Sequence, residues 1–217
     1  MRVAVDAHRL ALPEELKRSG GIYLSNLVSS MAALRPSSTF LLYLNRKASA
    51  FHPELPNCVL RPIPGPRIVW RHVYLPLAAW RDRAGVLFIP FHSVPVTWRR
   101  PLVAVIHGLA FLAVPEFFSV RTCRYLKAVT AYAVKRADRL IAVSQSTKQD
   151  LEKYYGPCIA NKTSVVYEAP AAVFTKSSEP SSGDQVLSRF GLDKNSYFIA
   201  VGTHPIKNLG VRWKRSA

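Results

Sequence analysis

Short apolar runs alternate with longer segments of helical periodicity along most of this 217-residue chain. Two of the runs, Val86–Ile89 and Leu102–Ile106, are continuously apolar, as expected for strands buried on both faces. Further strands are predicted at 3–5, 40–44, 58–61, 139–143, 164–167 and 197–201. Helical patterns occupy 24–34, 67–81, 119–137 and 147–154. Strands that alternate with helices predict a Rossmann-like α/β fold, a parallel sheet with helices on both faces.

A change in composition after residue 170 divides the chain. Residues 171–194 are polar and poor in long apolar runs, and they include the stretch Ser-Ser-Glu-Pro-Ser-Ser-Gly-Asp at 177–184, which suits a surface linker. We therefore predict one domain over 1–170, a linker over 171–194, and the first strand of a second domain within 195–217.

The charge balance favours anionic partners. The chain has 30 Lys and Arg against 13 Asp and Glu, a formal net charge of +17. Nucleic acid, an anionic membrane surface and phosphorylated substrates all suit a field of this sign, and composition does not choose among them. Because no recognised nucleic-acid motif is present, nucleic acid is not an expected partner.

Basic residues and tyrosines share one arc of the predicted helix 119–137. Such a face suits the headgroup layer of an anionic membrane, or an acceptor attached to it, and a solvated face explains it as well. The arc contains Arg121, Arg124, Tyr125, Tyr132, Lys135, Arg136 and Arg139.

A second basic arc is predicted on the segment 67–81, where Pro76 interrupts or begins the helix. The apolar residues of this segment turn away from the basic arc at helical spacing. The arc contains Arg67, Arg71, Tyr74 and Arg81, and the residues that turn away are Val69, Val73, Leu77 and Trp80.

Cysteine usage and the N-terminal sequence predict a reduced, cytosolic protein. Cys58, Cys123 and Cys158 are odd in number, far apart and without a C-x-x-C pair, so neither a disulfide framework nor a zinc site is expected. Asp6 and His8 interrupt the apolar stretch that a signal peptide needs. No charge-free stretch is long enough for a spanning helix. We expect the chain to be soluble, or peripheral on a membrane.

Polar side chains follow several predicted strands, at the edge where parallel α/β sheets bind ligands. His107 is the first of them, and Asp6, Ser144 and Glu168 follow other strands. A histidine satisfied by backbone partners would explain His107 equally well. The S-x-x-Q pattern that starts at Ser146 matches a capping box and predicts the start of a helix.

Gly20 and Gly21 lie in the predicted turn between the first strand and a helix. Glycines let a ligand approach the backbone, and a helix N-terminus favours a phosphate. A flexible turn is an equally good explanation, because the chain has neither G-x-G-x-x-G nor a Walker A lysine. The missing fingerprint also argues against a dinucleotide-dependent oxidoreductase.

Four segments, taken in order, match patterns of one enzyme family. Residues 19–23, Ser-Gly-Gly-Ile-Tyr, are similar to a glycine loop after the first strand, and 105–118 are similar to an H-D-L-x-F…P-E-x-F stretch. Residues 136–151 closely resemble R-A-D-x-x-I-x-V-S-x-x-S-x-x-D-L, the most specific of the four, and 201–209 are similar to V-G-x-x-x-P-R-K-N-L. In this order and spacing, the chain resembles the family 4 retaining glycosyltransferases of the GT-B fold.

The resemblance implies two Rossmann-like domains across a cleft, with the acceptor on the first, the sugar nucleotide mostly on the second, and no obligatory cofactor or metal. It implies that His107 is a catalytic histidine near the transferred sugar and that Gly20 and Gly21 approach the donor phosphates. Lys207, with Asn208 beside it, matches a diphosphate contact, where a fixed cation offsets the charge that develops on the leaving group. The implied reaction transfers a hexose, such as mannose, from a nucleotide-diphosphate sugar to a glycan or lipid-linked acceptor, at a cytoplasmic membrane surface in many relatives.

The chain departs from the family pattern at several places. Residues 107–109 are His-Gly-Leu, without the carboxylate of H-D-L, and 165–169 read Val-Val-Tyr-Glu-Ala where V-V-P-N-G is usual. Thr-His at 203–204 stands where an arginine often holds the diphosphate, and the resemblance ends after Leu209, before any E-x7-E motif. We expect a truncated chain that binds donor poorly and turns over slowly or not at all. A non-catalytic acceptor- or membrane-binding subunit, completed by a separately encoded C-terminal half, is the alternative.

Overall fold

The computed structural model describes residues 1–11, 14–46, 55–170, 186–193 and 196–197, with the side chains of 14–19 left out of the description. The chain forms two compact units, residues 1–169 and 170–217. In the second unit, residues 186–189 are helical. The predicted strand 197–201 lies outside the described residues except for Tyr197, and so do Lys207 and Asn208. The predicted linker and second domain therefore stay predictions.

Seven parallel strands form one sheet in the first unit, in the order β3-β2-β1-β4-β5-β6-β7. The strands are β1 Arg2–Asp6, β2 Thr39–Leu44, β3 Cys58–Pro62, β4 Val86–Ile89, β5 Leu102–Ile106, β6 Arg139–Ala142 and β7 Thr163–Val165. Each of the seven strands predicted in this unit is found, with ends that differ by at most two residues. The parallel Rossmann-like sheet is confirmed.

Helices connect the strands. The α-helices are α1 Glu14–Leu34, α2 Arg67–Val69, α3 Leu75–Arg81, α4 Ala110–Ala113, α5 Val120–Arg136 and α6 Gln145–Tyr155. A π-helical turn, Trp70–Tyr74, joins α2 to α3, and short 3-10 turns lie at His8–Ala11, Pro115–Phe117 and Pro157–Lys162.

Two apolar layers cover the sheet, one on each face. Side chains alternate between the faces along a strand, so Val3 and Val5 join one layer and Ala4 joins the other. The first layer contains α1 residues such as Leu24, and the second contains α3, α5 and α6 residues such as Leu151. The continuous apolar runs of the sequence follow from this burial on both sides.

The helix start after β6 differs from the prediction. Ser144 caps α6, since its side chain accepts a hydrogen bond from the backbone N–H of Thr147 at 3.1 Å. Helix α6 begins at Gln145, so Ser146 lies in its first turn and the prediction that Ser146 begins the helix was wrong. Ser144 reaches the orphan amide because it leaves the strand in an extended conformation directly before the helix.

The orientation predicted for the segment 67–81 was wrong in part. Arg67, Tyr74 and Arg81 of the basic arc are exposed, but Arg71 is buried, and the apolar residues that were to turn away from that arc are exposed as well. A π turn interrupts the regular helical register, since the backbone N–H of Leu75 donates to the carbonyl of Trp70, five residues earlier. This wider turn rotates α3 relative to a regular helix. The exposed apolar residues are Val69, Val73, Leu77 and Trp80.

Candidate functional site

The strand order reverses at β1 and β4, and this reversal opens a crevice at the carboxyl edge of the sheet. The crevice lies where connections from neighbouring strands leave in opposite directions. Segments that follow β1, β4, β5 and β7 bring their side chains together there. The predicted strand-end residues Asp6, His107 and Glu168 belong to this group, whereas Ser144 serves as the cap of α6.

His107 is held at both ring nitrogens. Its Nδ1 lies 2.9 Å from Oε1 of Glu168, and its Nε2 lies 2.8 Å from the carbonyl oxygen of Pro90. Both partners accept hydrogen bonds, so a ring that carries a proton on each nitrogen satisfies both of them. The side chain of His107 is 25% exposed and that of Glu168 is 47% exposed. The site therefore keeps access to solvent at the carboxylate side.

Aromatic rings fix the plane of the His107 imidazole. The Phe91 ring stacks on it with centroids 5.6 Å apart, and the Tyr23 ring meets it edge-on at 4.9 Å. The guanidinium carbon of Arg9 lies 4.1 Å from the Phe91 centroid, a cation–π arrangement. Because rings contact it from different directions, His107 is fixed in both position and plane.

Gly20 and Gly21 lie well inside α1, where the sequence predicted a turn before a helix. The N–H groups in a helix interior serve its own ladder, so the argument from exposed helix-terminal N–H groups does not apply to them here. Close packing explains the glycine at position 20, because a Cβ there would lie 2.7 Å from Nη1 of Arg9 and 3.2 Å from Cε1 of Phe91. A role of the two glycines in donor binding stays a prediction.

A buried ion-pair network lies at the end of β1. Nδ1 of His8 is 2.6 Å from Oδ1 of Asp6, and Nε of Arg71 is 3.7 Å from Oδ2 of the same carboxylate. Burial by itself would raise the pKa of Asp6, but His8 and Arg71 outweigh burial and lower it. Arg71 also donates to Oγ of Ser93 at 3.1 Å, which ties the segment after β4 to the network.

His92 and Tyr23 have shifted pKa values around the same crevice. Burial, with the positive charges of His107 and Arg9, lowers the pKa of His92 to about 4. The Nδ1 of His92 lies 3.1 Å from Oγ1 of Thr130. Burial, with the negative charge of Glu168, raises the pKa of Tyr23 to about 12. At neutral pH the imidazole of His92 and the phenol of Tyr23 are therefore both uncharged.

Several site residues were missed by sequence reasoning. His8 and Phe91 each lie two residues beyond a strand, so the strand-end rule extended by two residues would have found both. Tyr23 and Arg9 carried no such signal, because they reach the crevice from α1 and from a 3-10 turn. Gly108 has φ +142°, a conformation that side-chain-bearing residues rarely adopt, and it replaces the carboxylate of the family pattern.

Only some residues of the basic arc predicted on α5 form an exposed face of the helix. Arg121, Arg124, Tyr125 and Lys135 are exposed on the helix. Arg139 does not share this face, because α5 ends at Arg136 and Arg139 begins β6.

Arg136 and Tyr132 turn towards a neighbouring loop instead. Arg136 donates to the carbonyl of Trp98 at 2.7 and 3.1 Å, and Tyr132 donates to the carbonyl of Val96 at 3.4 Å. The opposite side of the helix is buried as predicted, through Cys123, Thr130, Ala133 and Val134.

Within the described residues, no three His, Cys, Asp or Glu side chains come together as metal ligands. The three cysteines are free thiols, with Cys158 exposed. In the part of the chain that the structure describes, no helix combines the length and apolarity needed to cross a bilayer.

One solved structure agrees with this fold, and a second is similar to the chain at a lower score. The chain is similar to a glycosyltransferase from Rickettsia africae ESF-5, at 10% identity and a TM-score of 0.53, over 89% of this chain and 50% of that one. A UDP-glucose:anthocyanidin 3-O-glucosyltransferase solved with UDP has 12% identity and a TM-score of 0.49, over 88% and 57%. The chain thus spans about half the length of these structures. No curated protein matches it by sequence.

A family model provides the assignment. The model described as Glycosyltransferase Family 4 matches residues 20–169, which include most of α1, the crevice residues from Phe91 to Glu168 and most of the first compact unit. This stretch is well over half of the chain. The chain therefore belongs to glycosyltransferase family 4.

Proposed function

We propose that this chain forms the acceptor-side half of a glycosyltransferase. The full enzyme transfers a hexose, such as mannose, from a nucleotide-diphosphate sugar to a glycan or lipid-linked acceptor. The observation that carries the proposal is the clamped His107 at the carboxyl edge of the sheet, in a chain that belongs to this family.

His107 is the proposed catalytic residue. The Pro90 carbonyl is part of the backbone directly after β4 and fixes Nε2, whereas Glu168 is half exposed and contacts Nδ1. A sugar hydroxyl can replace the Glu168 carboxylate at Nδ1 without disturbing the sheet. The imidazole then binds this hydroxyl while Phe91 and Tyr23 keep the ring in place. Such positioning raises the rate by holding the reacting groups in a productive geometry.

Charge develops on the leaving diphosphate as the glycosyl–phosphate bond breaks. Cations fixed near it lower the barrier. Lys207, with Asn208 and the two glycines Gly20 and Gly21, is proposed for this role on the strength of the family resemblance. The reaction needs no obligatory cofactor or metal under this proposal.

The acceptor is proposed to be attached to, or presented by, an anionic membrane surface on the cytoplasmic side. The exposed cations of α5, Arg121, Arg124 and Lys135, support this part, since each basic residue near an anionic surface contributes about 1 kcal/mol. A non-catalytic binding subunit of a split enzyme is the second candidate, and the same exposed cations favour it.

The test is sugar transfer from nucleotide-diphosphate donors to lipid or oligosaccharide acceptors, measured with a separately supplied C-terminal half and without it. His107→Ala is expected to lower the rate by about 100-fold or more, while Arg35→Ala, an exposed change at the end of α1, leaves it unchanged. A His107→Ala chain that transfers sugar at the unchanged rate would refute the catalytic role. The same variant separates the candidates, since a non-catalytic binding subunit contributes no reacting group and its His107→Ala form would support transfer by the added half at the unchanged rate.

A further inference from the structure

The helical segment α2–α3 presents an apolar stripe to solvent. Ile68, Leu77 and Trp80 are 76%, 60% and 61% exposed, and Val69 and Val73 continue the stripe between them. Large apolar side chains exposed one by one are ordinary, but a continuous stripe along a helix marks a surface that another apolar phase covers. We call these five residues the α3 stripe.

The stripe is built into the fold. Pro76 has no N–H, so the carbonyl of His72 lacks its helical donor, and the hydroxyl of Thr97 donates to this carbonyl instead. The backbone N–H of Val96 donates to Nδ1 of His72 at 3.3 Å. These bonds attach the loop before β5 to the helix, and Tyr132 and Arg136 hold the same loop from α5.

Loop and helix together enclose a groove beside the stripe. The groove has a volume of about 390 Å³ and is lined by Val73, Pro76, Leu77, Trp80 and the loop residues 97–100. Its floor is apolar and its loop side carries arginines. A groove of this composition suits a segment of hydrocarbon chain whose anionic end meets a cation.

The rim of the stripe is strongly basic. Residues 67–101 contain six arginines and one aspartate. Arg71 is buried, and the other five arginines are exposed. The aspartate, Asp82, is already engaged, since Oδ2 accepts from the Tyr43 hydroxyl at 2.8 Å and lies 3.5 Å from Nε of Arg61. Arg100 lies over the Trp80 ring at 6.0 Å, so charge and aromatic surface are adjacent.

We propose that the α3 stripe docks on an anionic lipid bilayer. Apolar side chains with a tryptophan enter the interface between headgroups and acyl chains, and the arginine rim contacts lipid phosphates. A second copy of the chain suits this surface poorly, because two arginine rims would face each other. The proposal rests on the membrane part of the proposed function and names the surface that meets the bilayer, but its vesicle test requires neither sugar transfer nor any crevice residue.

Docking on this stripe sets the position of the crevice relative to the bilayer. The segment begins at the carboxyl edge, where Arg71 reaches Asp6, and ends at the amino edge, where Arg2 donates to the backbone carbonyl of Asp82 at 2.9 Å. The stripe therefore runs along the full height of the sheet. A bilayer in contact with Ile68 and Val69 lies beside the mouth of the crevice.

The test is flotation of the chain with vesicles of equimolar phosphatidylcholine and phosphatidylglycerol at low salt. Leu77→Ser with Trp80→Ser is expected to lower vesicle binding by about tenfold or more. The matched control is Leu34→Ser with Ile22→Ser, two exposed residues of α1 on the other face of the sheet, which leaves binding unchanged. Both pairs are exposed, so unfolding temperatures near that of the unchanged chain verify that each variant is folded.

Two further measurements test the role of the arginine rim and the depth at which Trp80 lies in the bilayer. Arg99→Ala is expected to weaken binding about fivefold, and Arg35→Ala, outside the rim, serves as its control. Bromine-labelled lipids are expected to quench the chain's fluorescence, and Trp80→Phe removes most of that quenching while binding persists. Equal binding by the Leu77→Ser, Trp80→Ser chain and the unchanged chain would overturn the proposal. So would loss of binding only in Arg121→Ala with Arg124→Ala, or a concentration-dependent dimer that the stripe substitutions abolish.

Discussion

Oε1 of Glu168 lies 2.9 Å from Nδ1 of His107, although 61 positions separate the two residues in the chain. The family pattern provides a carboxylate directly after the histidine, and this chain has Gly108 there. Glu168, in a segment that also departs from the pattern, brings a carboxylate to the same histidine from β7. A carboxylate therefore contacts His107 in this chain, although neither residue 108 nor residue 168 follows the family pattern.

Replacement of Glu168 by glutamine tests whether its charge matters at His107. The side chain is 47% exposed, so we expect Glu168→Gln to change the free energy of unfolding by less than about 1 kcal/mol. Because the proposed acceptor hydroxyl displaces this carboxylate from Nδ1, and an amide competes for Nδ1 less well than a carboxylate, Glu168→Gln is expected to lower the KM for acceptor several-fold with little change in kcat. Glu116→Gln, an exposed carboxylate outside the crevice, is the control. A Glu168→Gln chain with unchanged KM for acceptor would remove Glu168 from the site.

The pKa of the Tyr23 phenol provides a second test of the charge on Glu168. Burial and the charge of Glu168 raise its pKa to about 12, so the folded state favours the neutral phenol. Stability from this group is present below pH 10 and is lost as the pH rises from 10 towards 12. We expect tyrosinate absorbance, as the difference between the chain and Tyr23→Phe, to rise with a midpoint near pH 12 and not near pH 10. Glu168→Gln should move the transition to lower pH, and an unmoved transition would contradict the contact.

Sequence patterns predicted the sheet well and the crevice only in part. Parallel strands that are buried on both faces have continuous apolar sequences. The strands Val86–Ile89 and Leu102–Ile106 were therefore predicted with the same ends that the structure shows. His107 and Glu168 followed from the strand-end rule. Their contact did not, because it depends on the spatial order of β5, β6 and β7 and on side-chain rotamers.

The helical register of the segment 67–81 could not be predicted at 100° per residue. A π turn inserts a five-residue hydrogen bond between Leu75 and Trp70, and every later residue is rotated by that step. Pro76 was the one residue in the sequence that indicated an irregular helix. Because proline has no N–H, the carbonyl of His72 accepts a hydrogen bond from the hydroxyl of Thr97 instead. Arg136 was misplaced for a related reason, because the carbonyls that it binds belong to a distant loop.

His92 makes the folded state sensitive to acid. Burial, with the positive charges of His107 and Arg9, lowers its pKa from 6.5 to about 4, so the unfolded chain binds more protons between these values. Stability is complete above pH 6.5 and falls as the pH drops towards 4, by at most about 3 kcal/mol. Asp6 acts in a separate window, below its ordinary pKa of 3.8. Thermal unfolding followed from pH 7 to pH 4 should show the loss, and His92→Asn should flatten it. An equal slope in both chains would assign the acid sensitivity elsewhere.

Gly108 tests whether the family's missing carboxylate can be restored in this fold. Its φ of +142° is a conformation that side chains disfavour, although no atom lies within 4 Å of the position that a Cβ would take. We expect Gly108→Ala and Gly108→Asp to lower the free energy of unfolding by roughly 1–3 kcal/mol, from backbone strain alone. Gly85→Ala is the matched control, because its Cβ would make only ordinary contacts at 3.7 and 3.8 Å. Urea unfolding provides the measurement. A Gly108→Asp chain as stable as the unchanged chain would contradict the expected strain, and faster sugar transfer by this chain would show that a carboxylate directly after His107 aids the reaction beyond the contact that Glu168 makes.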